Sequence, residues 1–592
     1  MKKIEQNEWD LEDILEGKTL EYLHQQWFEI NTKIVELYPD FLKSLKNFKQ
    51  WIKINEDEEK ISNRLSNYIS NKANINVIDS MWTDWENKLE FESEEFSKKT
   101  FDYDNIIIKN EDTVKRYLKD KELIEYSRGF EKIFKQKNHI LSEVEELLLT
   151  NISGISGQSE IFEILNSSEI KFKPALDSAG KEHEIINSSA VHSLLQNEDR
   201  TLRKNVWMSY QDAYYGFLTS FHTCLHYQYK MFNKYSKVRK YEDYISSCCI
   251  SDEIDKKFIL NLYSNVEEYK DVFVKYRELR NKKIKKLFNI DKIEPWDLSL
   301  ELTKKQMKFS IDEAKQIVLE ALKPLGEEYL EIVKKAFNEN WISFNIKKNK
   351  RGGAYSIGGT NGLKKYYILM NFDGTLDSIY TLIHELGHSL NSYYYNKVQK
   401  VYKSVKIFTA EIASITNEKL LSYYLLNKYK NDKEFKEMII NKMLSDFFST
   451  VTTQIIFSNW EYEVNELINT NQPFNKEIGM ELYKKMMIKY KGDFKYDISK
   501  EPYNKSLASI YRIPHFYSGN FYVYKYAIGE MVAQYASKKI STDKKFISQY
   551  FNFLSSGNSK SPLETIKILG FEFNKKSNDF IKKGIEEILK EF

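Results

Sequence analysis

The segment LIHELGHSL, residues 382–390, holds two histidines four apart with a glutamate directly after the first. On a helix, positions i and i+4 lie one above the other, so His384 and His388 project from one side about a turn apart. Two imidazole nitrogens at that separation can both reach one Zn2+ at about 2.0–2.1 Å. Glu385 stands one step round the helix, placed to hold a water at such a metal and act as its general base. Histidine is scarce here, 9 in 592 residues. At that frequency a chance H-E-x-x-H is expected about 0.01 times in the chain. His222 and His226, in FHTCLHYQYK, share the spacing, but no carboxylate follows His222, and this pair reads as structural.

A catalytic zinc takes three protein ligands and leaves a position for water. The next candidate carboxylates lie in FTAEIASITNEKLLSYYLL, from Phe408. Glu411 comes twenty-three residues after His388, and Glu418 seven later, two helical turns on, so the two share a face. Together they could give a ligand and a supporting carboxylate, or either could be an exposed helix residue. Asp377 could orient His384 or cap its helix. Further on, His515, Tyr522, Tyr524 and Tyr526 sit near a possible helix start in HFYSGNFYVYKY. Phenol and imidazole donors there could stabilise a developing oxyanion. Tyr522 and Tyr526 share a face; which tyrosine would donate stays open, and packing is the alternative for each. GGAYSIGG, residues 352–359, reads as a glycine-rich edge strand along which a substrate backbone could pair, through Gly353, Ala354 and Tyr355, or as a tight bend.

Positioning these residues falls to helices. Only 21 Gly and 8 Pro occur, so few breakers interrupt the chain. Ile379, Leu382, Ile383, Leu386 and Leu390 form an apolar stripe along the HELGH segment, with Thr375 as its N-cap. Leu45, Phe48, Trp51 and Ile52 repeat the pattern, as do Trp82, Trp85, Leu89 and Phe96. Two stretches break it. Residues 168–185 alternate around Ile170 and Phe172 and then pass a Pro, Asp, Ser and Gly cluster, predicting a β-hairpin. Residues 341–372 hold two β-prone runs and predict a small sheet just before HELGH. No internal repeat is visible, and soft boundaries fall near residues 110 and 190. They give helical regions over 1–110 and 111–190, the second ending in the hairpin, and a third region over 191–592 with the HELGH motif.

The formal charge is +3. No basic domain marks a nucleic-acid partner, and the run Lys282 to Lys286 reads as a solvated face. Three cysteines, Cys224, Cys248 and Cys249, make no disulfide framework and suit a reducing compartment. The start, MKKIEQNEWDLEDILEGK, has no apolar run of a signal peptide. No stretch approaches 18 uninterrupted apolar residues, so no membrane span is predicted. The expectation is a cytoplasmic protein.

HELGH followed by AEIASITNE resembles the oligoendopeptidase F group of the thimet oligopeptidase family of zinc endopeptidases. GGAYSIGG, ILMNFDGTLDSIYTLIHELGHS (368–389), RIPHFYSGNFYVYKYAIG (512–529) and the early EWDLEDIL are similar to segments of that family as well. The resemblance implies a mainly α, multi-helix, two-lobed peptidase with a deep channel and a small β-sheet beside the zinc helix. It implies one Zn2+ per chain held by His384, His388 and Glu411, with Glu385 as base and Glu418 supporting a ligand. His515, Tyr522 and Tyr526 would assist catalysis; Gly353, Ala354, Tyr355 and Tyr524 would bind substrate. The implied substrates are short unstructured peptides cut at internal bonds. Two alternatives are a metallocarboxypeptidase, for which Arg512 would capture the terminal carboxylate, and a non-catalytic peptide binder stapled by zinc. Glu385 argues against the latter, because structural zinc sites are usually closed by four protein ligands.

Overall fold

With few glycines and prolines to stop them, helices run through most of the chain, and polar side chains close their first turns: Thr19, Ser44, Asp79, Asp199 and Asn475 each accept a backbone N–H. The computed structural model describes residues 7–152, 157–303 and 307–592. Residues 1–6, on which the expectation of no leader partly rests, lie outside these. The fold is mainly α, as expected. Among the described residues the strands are five pairs of residues: β1 Ala175–Leu176, β2 Glu182–His183, β3 Ile342–Ser343, β4 Tyr355–Ser356 and β5 Ile368–Leu369. No helix among them is long and apolar enough to cross a membrane.

The chain forms two compact units. One comprises Met1–Glu143, Gln306–Tyr424 and Ala536–Gly570; the other comprises Val144–Lys305, Leu425–Tyr535 and Phe571–Phe592. Neither is contiguous, unlike the three segments 1–110, 111–190 and 191–592 expected from sequence.

In the first unit, Leu65 and Ile69 of the long helix Leu45–Ile75 pack with Trp9, Leu23, Trp27 and Leu369. Phe48 and Trp51 of the same helix enter a second cluster with Ile107 and Val114, against which Leu45 and Ile52 pack. Trp82, Trp85, Leu89 and Phe96 cover the first cluster but stay partly exposed, and their helix Ser80–Ser97 buries no residue fully. The predicted core stripe is therefore a half-buried lid. The predicted small sheet is present, in the order β3-β5-β4. β3 runs parallel to β5, and β4 antiparallel, with Tyr355 opposite Leu369 and Ser356 opposite Ile368. β4 is thus an edge.

The HELGH helix spans Leu376–Val398, and all five residues of its predicted stripe are fully buried. Thr375 caps it, accepting the Ser378 N–H at 3.2 Å. Asp373 gathers this start, accepting from the Thr375 N–H and hydroxyl and from the Ser378 hydroxyl. Burial opposes its charge, yet these donors hold its pKa at about 2. At the far end, Asn391 donates to the Leu554 carbonyl and Tyr394 stacks on Phe551. Thr375→Ala should cost about 1 kcal/mol, read as a lower urea midpoint at unchanged slope.

In the second unit, β1 and β2 form the predicted hairpin, its turn held by Asp177, which accepts from the N–H groups of Ala179 and Lys181. Its strands lie later than the alternation around Ile170 and Phe172 suggests. The preceding helix runs on into a π-turn over Leu165–Glu169, so Ile170 ends a helix, and Phe172 stacks on Tyr210 instead of pairing in a strand.

Candidate functional site

Gly387, the glycine of HELGH, decides how closely two helices meet. A Cβ there would stand 2.5 Å from Ser414 Cα and 2.9 Å from the Ala413 carbonyl oxygen, both backbone atoms of the helix Ile407–Lys428. A mid-helix glycine costs roughly 0.5–1 kcal/mol relative to alanine, and here it permits the crossing. Asn417 donates to the Ile383 carbonyl across the same contact, and the Tyr380 and Ser422 hydroxyls meet at 2.9 Å.

The crossing brings three donor atoms together. His384 Nε2 and His388 Nε2 are 3.2 Å apart, and each lies 3.4 Å from Glu411 Oε2. The edge of a tetrahedron with 2.0–2.1 Å arms is about 3.3–3.4 Å, so this triangle has the dimensions of one face of a tetrahedral zinc site. Two imidazoles and a carboxylate are also the donor chemistry zinc accepts. The three side chains keep about a quarter of their surface exposed, so the triangle is reachable. Among the described residues this is the one group of three acidic, histidine or cysteine side chains so gathered. Ser414 donates to Glu411 Oε2 at 3.0 Å and fixes that carboxylate.

The two glutamates left open by spacing now separate. Glu411 enters the triangle, while Glu418 takes His384 Nδ1 in a short contact. A proton held between Nδ1 and Glu418 leaves the Nε2 lone pair facing the triangle. Asp377, the other candidate for orienting His384, lies in the first turn of the HELGH helix. Without a cation, burial works against charge on His384, but Glu418 chiefly, then Glu385 and Glu411, raises its pKa to about 9. Burial likewise opposes the Glu411 charge, yet His388 above all holds it at about 2. Metal binding must displace the His384 proton. Apparent zinc affinity should therefore weaken as pH falls from 8 to 6, a trend that competition titrations at pH 6, 7 and 8 will read.

Glu385 is buried, and burial raises its pKa. Its carboxylate accepts the Ser356 N–H from β4, and the Ser356 and Ser389 hydroxyls meet at 2.8 Å. The glycine-rich strand is thereby fastened to the HELGH helix beside Glu385. Tyr355 donates to Asn71 and accepts from Asn74, both at 2.8 Å, so its hydroxyl is engaged. Ala354 and Tyr355 line a cleft of about 360 Å³ beside this edge, walled opposite by Asn67, Asn71 and Asn74. Gly353 is exposed at φ +78°, its carbonyl accepting from Asn371.

In the second unit, His515, Tyr522 and Tyr526 do come together. His515 Nε2 is 3.2 Å from the Tyr526 hydroxyl, and the ring stacks on Tyr522 at 5.5 Å. All three are partly exposed. Burial lowers the His515 pKa. Tyr524, expected to bind substrate, does not join them: its ring is fully buried and its hydroxyl donates to Asp252 at 2.6 Å. The helix turn beginning at Tyr524 points it into the core, so the expectation is corrected to packing. Arg512 donates to the Tyr210 hydroxyl and lies over the Tyr210 and Tyr214 rings. His222 and His226 pack around Phe474, with pKa values lowered by burial.

Sequence reasoning missed Gly387, Asn417, Ser356 and Asp373. Gly387 carried a signal, being a glycine inside a helical apolar pattern.

Residues 193–585 match Peptidase family M3, and residues 108–172 match Oligopeptidase F. Among curated relatives, the chain is 37% identical to an oligoendopeptidase F homolog of Mycoplasma pneumoniae, over 96% of this chain and 94% of the relative. It is 34% identical to oligopeptidase PepF of Bacillus subtilis, over 78% and 68%. Its fold matches oligoendopeptidase-F from Enterococcus faecium with a TM-score of 0.72 at 24% identity, over 96% of this chain and 98% of that one. The chain belongs to peptidase family M3, and the histidine–glutamate centre lies within the matched region.

Proposed function

We propose that this protein is a zinc-dependent endopeptidase that hydrolyses internal bonds of short, unstructured oligopeptides in the cytoplasm. The observation that carries the reading is the triangle of His384, His388 and Glu411 with the Glu385 carboxylate on the same helix. One zinc per chain would be held by those three residues, where it supplies Lewis acidity to a carbonyl and lowers the pKa of water. Glu385 accepts the proton of the attacking water on its carboxylate and returns it to the leaving amine. Glu418 keeps His384 in one tautomer and ring orientation. The free edge of β4 at Tyr355, with Gly353 and Ala354 leading into it, pairs with the main chain of an extended peptide. That pairing favours unstructured substrates, since a folded protein offers no free extended backbone. The relatives named oligoendopeptidase F support the endopeptidase reading, and the three free cysteines support the compartment.

The test is an internally quenched peptide of about ten residues, blocked at both ends. Internal cleavage that a chelator stops and zinc restores is the expected result. Cleavage only of the unblocked acid, one residue from its C-terminus, would replace this reading with a carboxypeptidase. An intact peptide that still binds a zinc-loaded protein would replace it with a binding module.

A further inference from the structure

In the second unit, the helices Lys270–Phe288 and Lys476–Lys491, with the segment after the latter, line a cavity of about 720 Å³. That is within the range of small-molecule sites. Seven lining side chains are cations and two are carboxylates, in a chain whose whole formal charge is only +3. Both carboxylates are engaged: Glu294 pairs with Lys292 at 2.7 Å and Glu278 with Lys495 at 3.4 Å. Arg277, Arg280, Lys282, Lys285 and Lys491 have no carboxylate at ion-pair distance among the described residues.

Two of these five are drawn inward. Lys491 Nζ donates to Thr453 Oγ1 at 2.9 Å, and Arg277 donates to the Lys491 carbonyl at 3.0 Å. Both cations lie over the Phe273 ring, 5.6 and 5.7 Å from its centre. Arg277 Nε is buried with no hydrogen-bond partner. Burial, with the neighbouring Arg277 charge, brings Lys491 down to about 8. Two neighbouring like charges, both partly buried and neither with a carboxylate at ion-pair distance, are costly, and a bound anion lowers the cost. The arginine fork suits phosphate oxygens. Lys282 and Lys285 stand exposed in the cavity wall, while Ile284 between them enters the core and Lys283 pairs with Glu437. Phe494 and Tyr496, 5.7 Å apart, add flat apolar wall.

We propose that this cavity binds an organic phosphate carrying two or more phosphate groups and an apolar or aromatic body, its phosphate oxygens on Arg277 and Lys491. Calorimetric titration of the full chain with ATP, sodium pyrophosphate and sodium sulfate, at constant ionic strength and without divalent ions, tests it. One-to-one binding is expected, with ATP tighter than pyrophosphate and both far tighter than sulfate. Arg277→Gln and Lys491→Met should each weaken ATP binding about ten- to a hundredfold, the worth of a hydrogen bond to a charged group. Lys491→Met should leave the ligand-free protein as stable as before or more so, because it removes an unpaired charge. No binding, binding equalled by sulfate, or binding that persists in both variants overturns the proposal. Equal affinity for ATP and pyrophosphate overturns the organic body.

Discussion

Replacing Glu385 by glutamine will lower the rate of peptide cleavage about 10²- to 10⁴-fold, the usual worth of a positioned general acid–base group. The amide keeps the volume and leaves a carbonyl oxygen for the Ser356 N–H that Glu385 now accepts. It cannot take a proton. Nor is Glu385 part of the donor triangle, so metal content should not change. The variant should also fold well, since burial already disfavours the Glu385 charge. Steady-state kinetics with a blocked peptide, alongside metal analysis of the same preparation, reads both halves. A variant that retains activity within a few-fold of the parent would place the base elsewhere. A variant that loses metal in proportion to activity would make Glu385 a structural support of the centre.

Gly387→Ala should damage the centre without touching any ligand. Its new methyl would meet the backbone at Ser414 and Ala413, which cannot rotate aside, so the two helices must separate. Overpacking of this kind costs about 1–3 kcal/mol. Glu411 lies one turn from Ser414 on the displaced helix and is held by its hydroxyl, so the carboxylate should move away from His384 and His388. We therefore expect zinc affinity to fall more than stability does. Zinc titration of the variant, at temperatures where circular dichroism shows it folded, separates the two. Unchanged affinity in the folded variant would mean that the crossing does not place Glu411. Glu418→Ala makes a milder companion, with about 10- to 100-fold weaker zinc binding expected from loss of the partner at His384 Nδ1.

Much of this arrangement was legible because it is local. The i, i+4 pair, the apolar stripe and the Thr375 cap each depend on residues within a turn or two, and the helix Leu376–Val398 contains all of them. The sheet before it was legible from its glycines and β-prone runs. Spacing alone did not divide the labour between Glu411 and Glu418, because both stand on one helical face; the family resemblance implied the division. The crossing at Gly387 sets Glu411 against Nε2 and Glu418 against Nδ1. Tyr524 misled for a related reason. Its neighbours Tyr522 and Tyr526 face one way, and the position between them falls on the opposite, buried side, where Asp252 waits. Ile170 and Phe172 alternate as a strand would, but the helix before them had not yet ended.

As proposed, His384, His388 and Glu411 hold one metal ion. Anomalous diffraction at the zinc edge, from crystals of the zinc-loaded protein, addresses it most directly. A single strong peak is expected about 2.0–2.1 Å from His384 Nε2, His388 Nε2 and a Glu411 oxygen, with no other protein ligand. A peak elsewhere, a fourth protein ligand closing the site, or no peak at full zinc loading would contradict it.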